Sequence, residues 1–312
     1  MIVVCGEALV DFTPSAIGGE TAYVPRAGGS PRNVAVGLAR LGVACSFLGK
    51  ISNDAFGQML ADDLSDNGVD LSNLVRSDLP SALAFVLDEG DGGEAFQFYG
   101  EGTADQDLSS NDVPESFLEG VEAVHFGSYS MVLGRTGSTL RSLMRGVQGQ
   151  AVVSLDPNVR PSLLPDRDAY VRRIEGLVPF ANLVKVSQQD LSWVSADEPA
   201  EGVARRWLDV GPDVVVVTHS ERGATGYTRG SSSVHAPGVP IEVADTVGAG
   251  DAFTSGLLAH LSGQGLLSKS ALATLSERQL TDAMAYANRV AALACTRTGA
   301  SPPSLSELGS KS

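Results

Sequence analysis

The run Val214-Val215-Val216-Val217 is continuously apolar, with no alternation between polar and apolar residues. A strand of this composition is typically buried on both faces, as in a parallel sheet covered by helices. Five further runs of strand length are apolar, and helix-length amphipathic segments lie between the runs. These five are residues 2–5, 43–48, 121–126, 152–155 and 183–186. The pattern predicts an α/β fold with a mainly parallel central sheet.

The first helix is marked at both ends. Ser30 is a candidate N-cap, Pro31 suits the first helical position, and Gly42 follows the last apolar residue of the helical pattern. A second helix is predicted from near Asp54 to near Gly68. The tail from residue 301 onward is expected to be poorly ordered.

Two short strand-like segments, residues 82–87 and 95–99, are joined by the polar, Gly-rich residues 88–93. Such a connection predicts a β-hairpin. Together with residues 11–24, the hairpin is expected to form a small sheet apart from the main one. That sheet is interpreted as a lid over a cleft or as a structural extension that contacts a second subunit, and the two interpretations are compatible.

The chain has 312 residues and a formal net charge of −15. This charge repels nucleic acid and anionic membrane surfaces, which argues against both as partners. No apolar run reaches the roughly 18 residues that span a bilayer, and the first residues do not resemble a signal peptide. Cys5, Cys45 and Cys295 lack the spacing of a zinc site or disulfide framework, so buried free thiols are expected. We therefore expect one cytoplasmic α/β domain over residues 1–312.

The strongest chemical signal is Ala244-Asp245-Thr246-Val247-Gly248-Ala249-Gly250-Asp251-Ala252-Phe253, which leads into an amphipathic helical stretch. Small residues let the backbone approach a ligand, and a helix beginning here points its unpaired N–H groups and positive dipole end at that ligand. A first-turn carboxylate, Asp251, can accept a proton from a hydroxyl while the N–H groups bind a phosphoryl group. By composition alone, an ordinary Gly-rich helix start with Asp251 stabilising the dipole is an equal alternative.

Two other phosphate-binding motifs do not fit this sequence, because required residues are replaced. Around Gly49-Lys50, Ala44 stands where a Walker A loop needs its first glycine, and Ile51 stands where it needs Ser or Thr. The run from Gly248 reaches Phe253 where a dinucleotide-binding loop needs glycine. The predicted phosphate site is therefore of neither kind.

Two segments together resemble the signatures of the ribokinase-like (PfkB) carbohydrate kinase family. Gly28-Gly29-Ser30-Pro31-Arg32-Asn33-Val34-Ala35 resembles the N-terminal signature, and residues 245–251 resemble the C-terminal one. The likeness extends from Gly6-Glu7 to residues 296–300. It implies a ribokinase-like three-layer fold, with a mainly parallel central sheet and a small β-sheet lid from about residues 11–24 and 82–100.

The resemblance implies that Asp251 is the general base for a sugar hydroxyl. It also implies an anion hole formed by the backbone N–H groups of Gly248, Ala249 and Gly250. Residues 156–160 read Asp-Pro-Asn-Val-Arg, which resembles a run common in the family's fructokinases and ketodeoxygluconate kinases. The implied sugar-binding residues are Asp11, Gly28, Gly29, Asn33, Phe98 and Arg160. Without the resemblance, surface ion pairing would be the alternative for Arg160.

ATP and magnesium are implied as cofactors, with potassium as a further expectation. The implied nucleotide-binding residues are Lys185, Ser187, Thr218, Gly223, Thr246, Gly248, Gly250 and Asn288. Magnesium would be bound mainly by the phosphates and by waters that Asp190 orders. A monovalent cation would be bound by Asp245, Val247, Ala294, Arg297 and Gly299.

Three positions depart from the family's usual pattern. Asp190 stands where glutamate is more frequent, which affects magnesium coordination. His219-Ser220 replaces a frequent Leu-Gly in the nucleotide loop. Gly100 stands where many fructokinases carry arginine, so the lid is expected to contribute less to binding a charged substrate.

Fructokinase, which converts fructose and ATP to fructose 6-phosphate and ADP, is the function that the resemblance favours. The first alternative is 2-keto-3-deoxygluconate kinase, for which Arg160 would have to bind the substrate carboxylate. Ribokinase and nucleoside kinases follow. A sugar-binding regulator without turnover is the remaining alternative, but it would be expected to lack Asp251 or the glycines. The lid strands are also a candidate homodimer contact, because exposed strand edges need cover.

Overall fold

The computed structural model describes residues 1–18, 20–88, 94–163, 166–229 and 233–309. Its strands, in chain order, are β1 (Ile2–Cys5), β2 (Leu9–Ile17), β3 (Glu20–Gly28), β4 (Cys45–Leu48), β5 (Lys50–Ser52), β6 (Val75–Ser77), β7 (Leu83–Asp88), β8 (Glu94–Tyr99), β9 (Ala123–Gly127), β10 (Val152–Asp156), β11 (Leu183–Ser187), β12 (Val214–Thr218), β13 (Ala224–Thr228) and β14 (Val234–Ala236). Its helices are α1 (Ser30–Arg40), α2 (Ala55–Asp66), α3 (Gly134–Val147), α4 (Arg167–Glu175), α5 (Gln188–Val194), α6 (Ala200–Val210), α7 (Ala249–Gly263), α8 (Lys269–Ala273), α9 (Glu277–Cys295) and α10 (Leu305–Gly309).

Within these described ranges, an eight-stranded sheet has the order β14-β13-β12-β11-β10-β9-β1-β4. The strands from β12 to β4 are parallel, and β13 and β14 are added antiparallel at one edge. The parallel strands are those that the apolar runs predicted, and their bounds differ from the prediction by at most two residues. Since β1 lies between β4 and β9, the strand order reverses there. Ligands bind at such a reversal, beyond the carboxyl ends of the strands.

Helices cover both faces of this sheet. The core on one face includes apolar side chains of α1, α2, α7 and α9, together with Ile2 and Val4. The core on the other face includes side chains of α3, α4, α5 and α6, together with Val3 and Cys5. β1 contributes to both cores because successive strand residues point to opposite faces. The predicted three-layer α/β fold is confirmed.

A second, smaller sheet has the order β3-β2-β7-β8. β2 pairs antiparallel with β3 and parallel with β7, and β8 pairs antiparallel with β7. The sequence predicted this sheet from residues 11–24 and 82–100, so β2 begins earlier and β3 ends later than predicted. Residues 89–93 of the predicted hairpin connection lie outside the described residues.

Helix α1 begins at Ser30, so the prediction that Ser30 is the N-cap is wrong. Gly29 takes that position with a φ of 99°, a left-handed conformation that favours glycine. A Cβ on Gly29 would also lie 2.8 Å from the carbonyl oxygen of Glu7. The Ser30 side chain makes no capping bond and has another partner, described below.

The end of the chain is packed against the domain, which contradicts the expectation of a poorly ordered tail for residues 301–309. Pro302 and Pro303 are buried, and Leu308 of α10 belongs to the core that contains α1 and α9. Arg289 donates a hydrogen bond to the Leu308 carbonyl oxygen at 2.9 Å. The expectation was wrong because it rested on the polar composition of the tail, whereas Pro302, Pro303 and Leu308 are buried.

The cysteines are free thiols, as predicted. Cys5 and Cys45 are buried, but Cys295 is half-buried because it is the last residue of α9. Among the helices that the structure describes, none is both long enough and apolar enough to cross a membrane.

Leu308→Ala is expected to lower the free energy of unfolding by about 2 kcal/mol, since a buried leucine would leave a cavity. Leu305 is the matched control: it lies in the same helix but is 54% exposed. Leu305→Ala should change stability by less than about 0.5 kcal/mol. Urea unfolding of both variants checks this, and equal values for the two would contradict the packing of the tail.

Candidate active site

Helix α7 begins within the 245–251 run, as the sequence predicted. Gly248 is its N-cap, with a φ of 75°. The N–H of Ala252 donates the first helical hydrogen bond, to the carbonyl oxygen of Gly248 at 2.8 Å. The N–H groups of Gly250 and Asp251 precede this bond and have no partner within the helix. They form a position where an anion can be bound at the positive end of α7.

The N–H of Ala249 differs from its neighbours. It donates a hydrogen bond to the carbonyl oxygen of Thr246 at 3.2 Å, so it is already engaged within the turn. Gly248 is also confined, because a Cβ there would lie 2.8 Å from the Ala300 side chain. The turn is therefore shaped by contact with the loop that follows α9.

Asp251 is the buried carboxylate of this helix start, with only 5% of its surface exposed. It accepts hydrogen bonds from Ser30 Oγ at 2.7 Å, Asn33 Nδ2 at 2.8 Å and Asn158 Nδ2 at 3.4 Å. Burial raises the pKa of Asp251, and the hydrogen bonds from Ser30 and Asn33 oppose part of that rise. Desolvation makes the carboxylate a stronger proton acceptor, while the donors fix its direction.

Asp11 lies in β2, at the junction of the small sheet with the start of α1. Gly28 is needed beside it, because a Cβ on Gly28 would lie 2.1 Å from Asp11 Oδ2. Burial raises the pKa of Asp11 to about 6, and the charges of Arg160 and Arg32 oppose this rise. Charge repulsion from Asp251 adds to it, so the two carboxylates interact.

Phe98 lies in β8 of the small sheet. Its ring contacts that of Tyr129 edge to face, with 5.3 Å between the centroids. A Cβ on Gly100 would lie 2.1 Å from Cε1 of Phe98. A larger residue at position 100 would therefore require the Phe98 ring to move.

The turn after β10 brings a second amide to Asp251. Asn158 has a φ of 40°, and Arg160 donates to Asn158 Oδ1 at 2.6 Å. Asp190 joins the same turn, since its Oδ1 accepts the N–H of Val159 at 3.2 Å. Arg160 is exposed, whereas burial raises the pKa of Asp190.

Lys185 lies in β11 beneath the start of α7. Its ammonium group is buried and 2.8 Å from Asp156 Oδ2, and a Cβ on Gly250 would lie 3.1 Å from it. Burial opposes the charged form of Lys185, but Asp156 outweighs this and holds the pKa above its ordinary value. A permanent positive charge therefore lies beside the anion position of α7.

Ser187 and Thr218 are paired neighbours at the carboxyl ends of β11 and β12. Ser187 Oγ accepts the N–H of Asp190 at 2.9 Å and so caps α5. The following loop contains Ser220 with a φ of 53°. A left-handed conformation is uncommon for serine, so this turn carries backbone strain at Ser220.

Gly223 and Asn288 meet at the segment after β14. A Cβ on Gly223 would lie 2.2 Å from the Ala236 carbonyl oxygen. Asn288 donates to the carbonyl oxygens of Ala236 at 3.1 Å and Pro237 at 3.0 Å. The Asn288 amide nitrogen is thus used in joining α9 to this segment, next to the loop that follows Thr218.

Asp245 joins its own loop to the loop after α9. Its carboxylate accepts the N–H of Val247 at 2.9 Å and the N–H of Gly299 at 2.7 Å. The Ala294 carbonyl oxygen, in the last turn of α9, accepts the N–H groups of Arg297 and Thr296. Each Asp245 carboxylate oxygen accepts one of the two N–H groups above and can accept a further partner. The Asp245 carboxylate therefore has the hard oxygen atoms that a monovalent cation prefers.

A cavity of about 360 Å³ lies between the small sheet and these loops. It is lined on one side by residues that include Asp11, Thr13 and Arg26, and on the other by Asp245, Val247 and Gly299. This volume is within the range of small-molecule sites. Another cavity, of about 410 Å³, is lined by residues of α6 and β13 and contains none of the residues singled out here.

The sequence matches the model of the pfkB family of carbohydrate kinases over residues 1–307. The chain belongs to this family. The pfkB chain is 37% identical to a fructokinase of Rhizobium leguminosarum bv. trifolii over 281 residues, covering 90% of the chain and 85% of the relative.

Two solved structures are also similar to this pfkB chain. A Xylella fastidiosa fructokinase with bound ATP superposes with a TM-score of 0.91 at 31% identity, covering 98% of the chain and 96% of the neighbour. A Vibrio cholerae fructokinase with bound fructose, ADP and calcium ion gives 0.83 at 28% identity, covering 96% and 94%. The family resemblance seen in the sequence is confirmed.

The structure brings most of the predicted residues of this pfkB chain to one region. Asn33 contacts Asp251 directly, and Lys185 lies beside Gly250. Sequence reasoning missed two residues that bind Asp251, Ser30 and Asn158. Both residues lie within the motifs described above. The sequence shows a hydroxyl at a helix start and an amide in a turn, but it does not show which distant residue each of them contacts.

Lys185→Met is expected to lower the free energy of unfolding by about 3 to 5 kcal/mol, because it leaves Asp156 buried without its cation. Lys269→Met, at an exposed lysine, is the control and should change stability by less than about 0.5 kcal/mol. Denaturant unfolding of both variants measures the difference. A Lys185→Met protein as stable as the control would show that the pair is not needed to hold Asp156.

Proposed function

We propose that this chain is an ATP-dependent fructokinase in which Asp251 is the general base. The observation that carries the proposal is the position of Asp251. Its carboxylate lies in the first turn of α7, buried, and bonded to Asn33 of the Gly-Gly-Ser-Pro motif. A proton acceptor is thus placed where a sugar hydroxyl and an anionic phosphoryl group would meet.

The reaction needs few protein groups. The 6-hydroxyl of fructose would give its proton to Asp251 while its oxygen forms a bond to the γ-phosphorus of ATP. The bond from that phosphorus to the β–γ bridging oxygen breaks, and ADP leaves. The N–H groups of Gly250 and Asp251 and the N-terminus of α7 would stabilise the negative charge of the transferred group. Gly248 and Ala249 would shape this anion hole.

The sugar would be bound between the small sheet and α1. Asp11 and Asn33 present short polar side chains, and Gly28 and Gly29 let the backbone approach. Phe98 would cover the apolar side of the ring. The Vibrio cholerae relative with bound fructose and ADP supports fructose as the acceptor. Arg160, exposed above Asn158, would contact the outer end of the sugar.

The nucleotide would lie along the carboxyl ends of β11 and β12, beside Ser187, Thr218 and Gly223. The Xylella fastidiosa relative with bound ATP supports ATP as the donor. Thr246 and Lys185 would lie next to its phosphates. Asn288 would act mainly by holding the segment after β14 in place, because its amide donates to two carbonyl oxygens there.

Metal ions would supply charge neutralisation when bound. Asp190 has the donor chemistry to order magnesium waters, since it is a carboxylate beside the predicted phosphate site. Carbonyl groups of Val247, Ala294, Arg297 and Gly299, with the carboxylate of Asp245, suit potassium. Magnesium and potassium dependence, a cytoplasmic location and a homodimer through the small sheet are part of this proposal.

A second candidate, 2-keto-3-deoxygluconate kinase, would need a cationic site for the substrate carboxylate. Arg160 is available, but position 100 carries glycine instead of a further arginine. The lack of a cationic side chain at position 100 supports a neutral sugar. Fructose and 2-keto-3-deoxygluconate are therefore compared directly in the assay described next.

A coupled assay of ADP release with fructose, 2-keto-3-deoxygluconate, ribose, tagatose and adenosine tests the proposed substrate. Fructose should give the highest kcat/KM, because Asp11 and Asn33 suit the hydroxyl groups of a neutral sugar and position 100 carries glycine instead of a further arginine. Arg160→Gln should reduce the value for 2-keto-3-deoxygluconate more than that for fructose. A preference for the acid over fructose would overturn the assignment.

Asp251→Asn should lower kcat by at least about 100-fold, since it removes the proton acceptor with little change in shape. Thermal unfolding should show a folded protein, because Ser30 Oγ can still donate to the carboxamide oxygen. Asp245→Asn serves as the matched control at the other end of the motif and should retain more activity. Near-normal turnover of Asp251→Asn would refute the base assignment.

A further inference from the structure

Arg32 is a buried cation in the first turn of α1. Only 4% of it is exposed, and its guanidinium group has two partners. One nitrogen, NH1, donates to Asn33 Oδ1 at 2.9 Å. The other, NH2, forms an ion pair with Asp63 of α2. Arg32 therefore connects α2 to the side-chain amide of Asn33.

These contacts decide which way the Asn33 amide faces. A guanidinium group only donates hydrogen bonds, and a carboxylate only accepts them. With Arg32 on one side and Asp251 on the other, only one orientation satisfies both: Oδ1 toward Arg32 and Nδ2 toward Asp251. The observed distances, 2.9 Å and 2.8 Å, are those of two good hydrogen bonds.

Stability gives no clear reason for an arginine at this position. Burying a charge is costly, and an apolar residue of similar size is often equally stable there. Arg32 also leaves a donor unused, since its buried Nε has no acceptor among the described residues. The arginine is better explained by what it does to Asn33.

A second pair of residues repeats the arrangement on the exposed side of Asp251. Arg160 donates to Asn158 Oδ1 at 2.6 Å, and Asn158 Nδ2 lies 3.4 Å from Asp251 Oδ1. In both pairs an arginine binds the amide oxygen and the amide nitrogen faces the carboxylate. The Arg32 pair is the buried one and has the shorter bond to Asp251.

We propose that Arg32 is a positioning residue, anchored by Asp63, that holds the Asn33 amide with its nitrogen toward Asp251 and the bound sugar. This rests on the proposed function, in which Asn33 binds the sugar and Asp251 takes its proton. When Arg32 is absent, Asn33 Oδ1 loses its donor, and the side chain is no longer fixed where Nδ2 bonds to Asp251. The hydrogen bond to the carboxylate is then weakened, and the sugar meets an amide that is no longer held in position.

The main test compares Arg32→Met and Asn33→Ala with the double variant. Each single variant should lower kcat/KM for fructose by about 10-fold or more, as expected for losing a hydrogen bond to a charged group. The double variant should be no worse than Asn33→Ala, because Arg32 acts through Asn33. The KM for ATP should stay within about twofold in all three.

The pH profile of kcat/KM separates positioning from general damage. Asn33 stabilises the charged form of Asp251, so losing that hydrogen bond raises the pKa of the base. The acid limb of the profile should therefore move to higher pH in Arg32→Met. That variant also removes a positive charge that interacts with Asp11 and Asp251, so the positioning role requires a shift in the same direction in Asp63→Asn, which keeps the charge. Arg40→Met, at the other end of the same helix, should leave both the limb and kcat/KM unchanged.

Asp63→Asn covers the case in which Arg32→Met does not fold, because it keeps the guanidinium group and weakens only its anchor. It should shift the acid limb in the same direction by a smaller amount. If Asn33→Ala has normal kinetics, the role of Asn33 in the proposed function fails, and this inference fails with it. If Asn33→Ala is impaired but Arg32→Met and Asp63→Asn are normal, or if the losses multiply in the double variant, only the positioning role is refuted.

Discussion

A buried carboxylate must be surrounded by hydrogen-bond donors, and Asp251 imposes this requirement on the rest of the fold. It lies at the positive end of α7 and receives donors from the start of α1 and from the turn after β10. These two segments follow strands of different sheets, β3 of the small sheet and β10 of the central sheet. Their convergence at the carboxyl ends of the parallel strands is what makes the site, and a shift of any one would leave a buried charge unsatisfied.

Around that carboxylate the charges are arranged in opposed pairs. Lys185 neutralises Asp156 below α7, and Arg32 neutralises Asp63 between α1 and α2. The net charge of the chain is strongly negative, and the Asp156 and Asp251 carboxylates lie close to the anion position. Asp156 balances the charge of Lys185, so the unpaired N–H groups at the start of α7 are the main groups there that can attract a phosphate.

Much of this was available from the sequence, because it depends on local pattern. Continuous apolar runs predicted the parallel strands, and the order of small residues in 245–251 predicted the start of α7. The contacts of Ser30 and Asn158 were not predictable, because their partner Asp251 is 221 and 93 residues away. The packing of the tail was not predicted for a related reason. Leu308 is not part of a periodic apolar pattern, and its burial depends on contacts with a core formed by residues distant in sequence. The effect of His219-Ser220 on the nucleotide loop stays a prediction, and the structure adds that Ser220 has a left-handed φ.

The contact between Phe98 and Gly100 makes two positions of the small sheet interdependent. A Cβ at position 100 would lie 2.1 Å from the ring at 98, so a larger residue at 100 requires the ring to move. Substitutions at the two positions are therefore expected to be non-additive. A library that varies both positions together would sample side-chain combinations that a library at position 100 alone does not reach.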